Sequence, residues 1–265
     1  MIFQRELKRS RKSLIIWSLV LAGLIIWLLS IFPSFAKSQA SMEALMESYP
    51  ESIRQMFGMN QLNLGSLIGF YGLEVYMMVT LLGSIYAALL ASNILAKEEG
   101  EKTIEFLLSK PISRSRIVSQ KALAVFVNII ILNAVSAVSS LIGFQFAKDE
   151  DIPGKTFVLL SIAALLLHLT FASISFLFSS IMRKTRNTLS ISLAVVIVTY
   201  FLNVISGLSE DLEILKYFSP FKYVDSANII SDNRIEPIFI VIMGILIAGS
   251  IAAAFFIYKK KDIAV

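Results

Sequence analysis

The chain has 265 residues, of which 56% are hydrophobic and 16% are charged, and its formal net charge is +5. Soluble globular domains are roughly 45–50% apolar and about 25% charged, so this composition excludes a soluble protein and indicates an integral membrane protein. The basic excess indicates membrane topology and contact with anionic lipids rather than binding to nucleic acid. Because the chain has no cysteine, disulfides and thiolate metal sites are excluded.

Six apolar runs are long enough to cross a membrane, since a helix needs about 20 apolar residues to span the hydrocarbon layer. The sequence predicts spans at 14–32, 67–96, 122–147, 157–182, 189–206 and 238–258. The expected fold class is an all-α membrane protein, with one transmembrane domain over 1–265. The first run exceeds the 7–15 apolar residues of a signal peptide, which favours a retained span over cleavage.

The positions of lysine and arginine indicate which ends of the spans face the cytoplasm. Most of the 24 basic residues fall in the N-terminal segment 1–13, the segment 97–121, the link 183–187 and the C-terminal tail. The positive-inside rule therefore places both termini in the cytoplasm. An even number of spans agrees with this, because it puts both termini on the same side. We expect a multi-pass protein of the plasma membrane.

Segment 1–13 mixes basic and apolar side chains, which predicts a helix along the cytoplasmic membrane surface before the first span. A simple positive anchor is the alternative. In the outer loop 33–66, apolar residues at helical spacing on both sides of Pro50 predict two short amphipathic helices, which form a lid or cover the span ends. The outer loop 207–236 is too apolar for a solvated linker, and we expect it to pack into the outer membrane boundary.

A charged segment, 97–114, separates the second and third spans. Its apolar and charged residues fall on different faces of a helix, and Pro111 ends that helix. A short amphipathic helix between two spans, on the cytoplasmic side, is a part that another protein can bind and move. The segment is therefore the strongest indication of function in the sequence.

Few side chains are suited to chemistry. His168, the single histidine, falls in the middle of the fourth span with no acidic residue at comparable depth. It is a functional candidate by its position, and a neutral, hydrogen-bonded histidine is the favoured alternative. Glu74, near the outer start of the second span, either lines a vestibule or lies among lipid headgroups. We predict no catalytic and no metal-binding residues.

The run Gly154-Lys155-Thr156 is similar to the end of a phosphate-binding loop. That loop needs another glycine five residues earlier, and a carboxylate stands there instead. The run also lies in an outer loop, next to acidic residues that would repel a triphosphate. We therefore expect no nucleotide cofactor in this chain.

The charged segment resembles the first cytoplasmic loop of type-2 ABC transporter permeases. That pattern is an acidic cluster, a glycine, a threonine, an acidic residue, a leucine pair, and a proline followed by a basic residue. The matching residues are Glu98, Glu99, Gly100, Thr103, Glu105, Leu107, Leu108, Pro111 and Arg114. Glu101 and Lys102 separate the glycine from the threonine, which often adjoin in the family. The outer segment around Pro50 and the run 218–223 resemble the copper-enzyme-maturation and bacteriocin-export branch.

This resemblance implies the membrane subunit of an ABC exporter. A separate cytoplasmic ABC ATPase subunit would carry ATP and Mg, and a second permease copy or a paralogue would enclose the transport path with this chain. The docking residues implied for the ATPase subunit are Glu98, Glu99, Lys102, Thr103, Glu105, Phe106, Leu107, Pro111 and Arg114.

The branch implies an amphipathic peptide or other hydrophobic cargo, and a drug, a lipid or an ion are the alternatives. The residues of the substrate path are not assigned. The alternative hypothesis from a different functional class is a stand-alone membrane carrier or scaffold. A carrier should place several carboxylates at mid-membrane, and the sequence has none there.

Overall fold

The computed structural model describes residues 2–37, 49, 50, 54, 62, 63, 65–100, 112–147, 153–206, 214, 215 and 217–261. All regular structure in these residues is helical. The helices are α1 (Ile2–Lys37), α2 (Leu67–Asn93), α3 (Ala96–Gly100), α4 (Arg114–Phe144), α5 (Gly154–Ile181), α6 (Thr185–Ser206), α7 (Pro220–Tyr223), α8 (Ser226–Asp232) and α9 (Pro237–Lys260).

Six of these helices, α1, α2, α4, α5, α6 and α9, are long and apolar enough to cross a membrane. They overlap the six predicted spans and confirm the predicted all-α class, although α2 ends at Asn93 rather than at residue 96 and α4 ends at Phe144 rather than at residue 147. Several helices are longer than the apolar runs because polar residues at their ends continue the helix, as residues 2–13 do in α1. Most of the outer segment around Pro50, where two amphipathic helices are predicted, lies outside the described residues.

Both termini of the described chain lie at one end of the bundle. The Phe3 N–H donates to Gln120 Oε1 near the start of α4 at 3.2 Å, and Lys261 Nζ donates to the Met182 carbonyl after α5 at 3.1 Å. This end also carries α3, and it holds most of the basic residues. We call it the basic end, and the positive-inside rule assigns it to the cytoplasm.

Helix α1 is continuous over 36 residues, a length of about 54 Å. The sequence suggested a surface helix at 1–13 followed by a separate span, but α1 has no turn there. Its first turns are instead held along α4, where Ser10 Oγ donates to Asn128 Oδ1 at 3.1 Å. Farther along, a Cβ at Gly143 would lie 2.4 Å from Leu29 Cδ1, so α1 and α4 are in close contact.

Helix α5 lies at the centre of the bundle, in contact with α2, α4, α6 and α9. Its buried His168 joins two of these neighbours: Nδ1 lies 3.2 Å from Asn133 Oδ1 on α4, and Nε2 lies 3.2 Å from the Val79 carbonyl on α2. The ring lies against Gly83, where a Cβ would be 2.3 Å from Nε2. The hydrogen-bonded state that the sequence favoured for this histidine is therefore present.

Helices α7 and α8 pack onto the spans at the opposite end. The Phe221 ring lies 5.2 Å from the Phe171 ring, and Tyr223 stacks on Phe239 with ring centroids 4.9 Å apart. Phe221 and Tyr223 are both buried. Phe221 and Tyr223 thus pack on the bundle, whereas Ile214, Tyr217 and Phe218 of the same loop are exposed. The packing of this loop into the outer membrane boundary stays a prediction.

Gly83→Ala should destabilise the protein, because the added methyl group has no room beside the His168 ring. Overpacking of this kind costs roughly 1–3 kcal/mol, although helix propensity alone favours alanine by about 1 kcal/mol. The measurement is the melting temperature of the purified protein in detergent. Gly23→Ala is the matched control, because a Cβ there meets no heavy atom within 4 Å. A Gly83→Ala protein as stable as the control would contradict the described packing.

Candidate functional site

A cluster of buried charges lies at the basic end, where α1, α3 and α4 meet. Lys121 is fully buried, Glu98 and Glu6 are 2% and 3% exposed, and Lys97 is 8% exposed. The half-exposed Arg5 borders the cluster. We call these five residues the ion cluster.

Every carboxylate in the ion cluster faces at least two cations. Lys121 forms an ion pair with Glu98 and lies 3.6 Å from Glu6 Oε1. Lys97 forms an ion pair with the other oxygen of Glu6, and Arg5 Nη2 donates to Glu98 Oε1 at 3.0 Å. Because an unpaired ion in a low-dielectric site costs several kcal/mol, this mutual pairing is what makes the burial of four charged groups feasible.

Lys121 of the ion cluster and Ser179 on α5 hold the two-residue break, 94–95, between α2 and α3. Besides its ion pair, Lys121 Nζ donates to the Ile94 carbonyl inside the break. The N–H groups of Leu95 and Ala96 donate to Ser179 Oγ on α5 at 2.9 and 3.0 Å. Backbone groups that lack intrahelical partners at a helix end are thus satisfied by α4 and α5. These contacts fix the direction in which the chain leaves α2.

A second set of contacts links residues on both sides of the segment 101–111, which lies outside the described residues, to the end of α9. On one side of the loop, Lys261 Nζ lies 2.6 Å from Glu99 Oε1. On the other side, Arg114 Nη1 donates to the Lys261 carbonyl at 2.7 Å. Lys261, which directly follows α9, therefore contacts Glu99 before this segment and Arg114 after it.

Helix α3 is consequently attached to five spans. The ion cluster joins it to α1 and α4, Ser179 joins the preceding break to α5, and Glu99 joins it to the end of α9. At Gly100, a Cβ would lie 2.9 Å from Thr185 Oγ1 at the start of α6. Helix α3 therefore contacts these spans directly.

The docking residues predicted from the sequence fall into two groups. Glu98, Glu99 and Arg114 border the loop and make contacts within the chain, and the 2% exposure of Glu98 leaves little of it for a partner to touch. The structure brings these three together at the basic end. The others lie outside the described residues: Lys102, Thr103, Glu105, Phe106, Leu107 and Pro111.

The site residues predicted from the sequence do not include Glu6, Lys121 or Ser179. Two signals were available for the charged pair: Glu6 is the single acidic residue in a strongly basic segment, and Lys121 stands directly before a long apolar run. Either residue is a candidate for burial with an opposite charge. Ser179 gives no comparable signal, because serines occur throughout the spans.

His168 and Glu74 lie away from the ion cluster. His168 is hydrogen-bonded in the interior of the bundle between α2, α4 and α5. Glu74 belongs to the π-helical turn Tyr71–Val75 near the opposite end of α2, and its side chain is partly exposed. Neither residue belongs to the ion cluster or to the contacts of Glu99 and Arg114 described above.

Lys121→Met should strongly destabilise the protein, because it leaves Glu98 and Glu6 short of a cation in a buried site. Breaking a buried ion pair typically costs about 3–5 kcal/mol, enough to lower the melting temperature by several degrees. Glu236→Gln, at an exposed acidic residue, is the control and should change stability by no more than about 0.5 kcal/mol.

A double-mutant cycle makes this test specific to the pair. The combined variant Glu98→Gln/Lys121→Met should lose less stability than the sum of the two single variants, because each single change leaves a buried charge that the other removes. Additive losses of stability would contradict a direct interaction between the two side chains.

Comparison with protein-family models matches residues 1–263 to a family described as ABC-2 family transporter protein. The matched range includes all the described spans, the ion cluster and the charged segment 97–114. A search of curated proteins finds no match to the chain.

Proposed function

Because the chain belongs to the ABC-2 family of transporter proteins, we propose that it is the membrane subunit of an ATP-driven exporter of amphipathic peptide or other hydrophobic cargo. Family membership and the six spans establish the coarser statement: the chain is the multi-pass, non-catalytic permease component of an ABC-2 type transporter. ABC-2 permeases work with ABC ATPase subunits. The resemblance of segment 98–114 is thereby confirmed at the level of the family, and the peptide-export branch belongs to the proposal.

The observation that carries the proposal is the attachment of both ends of the loop 101–111 to the bundle. An ATPase subunit that holds ATP and Mg would dock on this loop, with Glu105 and Leu107 among its contacts. Its closure would displace the loop, and the contacts of α3 and Arg114 would pass the displacement to the spans. Rigid-body movement of packed helices is a common route for such transitions.

An apolar groove supports hydrophobic cargo. It lies between α4, α5 and α9, has a volume of about 380 Å³, and is lined by aromatic side chains that include Phe126, Phe176 and Phe255. Its volume lies within the range of about 300–1,000 Å³ that is typical of ligand pockets. Such walls suit an apolar or amphipathic molecule, including a lipid or a drug, better than a hydrated ion.

We propose that a second copy of the chain, or a paralogue, completes the transport path. Gly244, Ala248 and Ala252 form a small-residue stripe on α9 and are all exposed, and a Cβ at Gly244 would meet no heavy atom within 4 Å. The stripe therefore faces away from the other described helices of this chain. Small residues allow close helix approach within membranes, which supports a partner on this face.

Docking is tested by co-purification with a co-expressed ABC ATPase subunit in mild detergent. Glu105→Arg should lower the recovery of that subunit about tenfold, because it reverses a charge in the docking segment. Asp232→Arg, the same reversal on an exposed residue of α8, should leave recovery unchanged. Full recovery with Glu105→Arg and also with Leu107→Asp would contradict docking on this segment.

Cargo and direction are tested in proteoliposomes that have the ATPase subunit on the outside. ATP should drive a fluorescent amphipathic peptide into the lumen, because that direction corresponds to export from the cytoplasm. ATP-driven movement of the peptide out of the lumen would contradict export. ATP-driven ion flux without peptide movement would contradict the proposed cargo and favour the ion alternative.

The partner face is tested by cysteine cross-linking, which is simple in a chain without cysteine. Ala248→Cys should give a disulfide-linked dimer in membranes under mild oxidation, because the stripe would bring two copies of α9 together. Val198→Cys, at a position 56% exposed on α6, is the control and should remain monomeric. Cross-linking at Val198 and not at Ala248 would contradict a symmetric dimer through α9.

A further inference from the structure

A small polar cavity lies between α2, α4 and α5, in the half of the bundle away from the basic end. The space in it that a water-sized sphere can occupy is about 20 Å³. Its polar lining residues are Tyr71 and Tyr76 on α2, Asn133 and Ser136 on α4, and Ser161 on α5. The cavity shares no lining residue with the apolar groove between α4, α5 and α9. Polar groups this deep among apolar spans need hydrogen-bond partners.

A π-helical turn in α2 places two tyrosines beside this cavity. Residues Tyr71–Val75 form the turn, and the Tyr76 N–H donates to the Tyr71 carbonyl, five residues earlier. In an α-helix, residues five apart are separated by about 1.4 turns and lie on different sides. The wider π turn brings them back to the same side, and the centroids of the two rings lie 6.5 Å apart. Because single π turns are frequent at functional sites, the cavity is a candidate binding site.

The Tyr76 hydroxyl has no hydrogen-bond partner among the described residues, although Tyr76 is only 3% exposed. The Tyr71 hydroxyl, in contrast, lies 3.3 Å from Ser140 Oγ. A buried hydroxyl without a partner destabilises the folded protein, and the large majority of such groups are paired with protein or with ordered water. Tyr76 therefore brings one O–H donor to the cavity that no described group accepts.

Two serines bring acceptors to the same cavity. Ser136 Oγ donates to the Leu132 carbonyl at 3.0 Å, and Ser161 Oγ donates to the Phe157 carbonyl at 2.9 Å. These bonds use the O–H of each serine and leave its oxygen able to accept another hydrogen bond. The wall thus offers one donor and two acceptors. A water molecule, with two O–H groups and an oxygen that accepts, is the complement of this set.

We propose that this cavity binds one water molecule. The water accepts a hydrogen bond from Tyr76 and donates to Ser136 Oγ and Ser161 Oγ, and three hydrogen bonds are typical of buried water. The space holds one water, since about 10–15 Å³ is needed for each. A cation does not fit this chemistry, because none of the described lining residues carries a carboxylate to balance its charge.

The water joins the same three helices as His168, nearer the outer end. His168 on α5 contacts Asn133 on α4 and the Val79 carbonyl on α2, and Asn133 and Val79 also line the cavity. Two adjoining polar links, one through the histidine and one through the water, then connect α2, α4 and α5 inside the apolar bundle. Separation of these helices would break both links.

The first test is the melting temperature of Tyr76→Phe in detergent. Removal of the hydroxyl should lower it by roughly 2–4 °C, because the bound water loses a hydrogen bond. Tyr71→Phe, which loses the contact with Ser140, sets the scale for the loss of a direct hydrogen bond. A Tyr76→Phe protein as stable as the wild type, or more stable, would overturn the proposal, because the hydroxyl would then be buried without a partner.

The second test detects the water in the wild-type chain and so does not depend on the folding of a variant. X-ray irradiation converts bound water into hydroxyl radicals, which oxidise adjacent side chains, and mass spectrometry locates the oxidised residues. Tyr76 should be oxidised several-fold faster than Phe171, which is 1% exposed and does not line the cavity. Equal rates would overturn the proposal.

A sodium titration separates water from a bound cation. The melting temperature of the wild-type chain should be the same in sodium chloride and in choline chloride. Stabilisation by sodium that Tyr76→Phe abolishes would overturn the proposal, because the site would then hold a cation. None of these measurements needs an ATPase subunit or cargo, so the result is independent of the proposed export function.

Discussion

Lys121 lies two turns into α4 and is fully buried. The need to pair its charge determines how the basic end of the bundle is arranged. Glu98 must approach it from α3 and Glu6 from α1, because a buried ammonium without a carboxylate costs several kcal/mol. The third contact of Lys121, with the Ile94 carbonyl, fixes the break between α2 and α3. One side chain thus links three helices and the point where the chain leaves α2.

Under the proposed docking, this arrangement would pass a displacement of the segment 101–111 to the spans. The residues before and after the loop 101–111 are held by ion pairs and hydrogen bonds to the ends of the spans. Displacement of the loop without the spans would break several of these contacts together. Movement of the spans together with the segment would preserve them, so under the proposed docking the segment would transmit a force to the spans.

The spans could be predicted because length and hydropathy are local properties of the sequence. The continuity of α1 could also have been predicted from the sequence, since neither glycine nor proline stands near residue 13. The ion cluster is different: its members lie at positions 5, 6, 97, 98 and 121, and only the packing of α1 along α4 brings them together. A charge pattern in one segment cannot show which distant charge will pair with it. The three docking residues that border the loop were selected for their charge, and the structure gives each a contact within the chain.

The central claim is that α3 moves together with the spans to which it is attached. A Cβ at Gly100 would lie 4.0 Å from Thr185 Cβ, which fits the spacing of a disulfide, and the chain has no other cysteine. In the variant Gly100→Cys/Thr185→Cys, a disulfide would lock α3 to α6. The measurement is cargo-stimulated ATP hydrolysis by the complex with its ATPase subunit, before and after reduction. We predict equal stimulation in both states. Stimulation that is lost in the oxidised state and restored by reduction would show that α3 must move relative to α6, and would contradict the account.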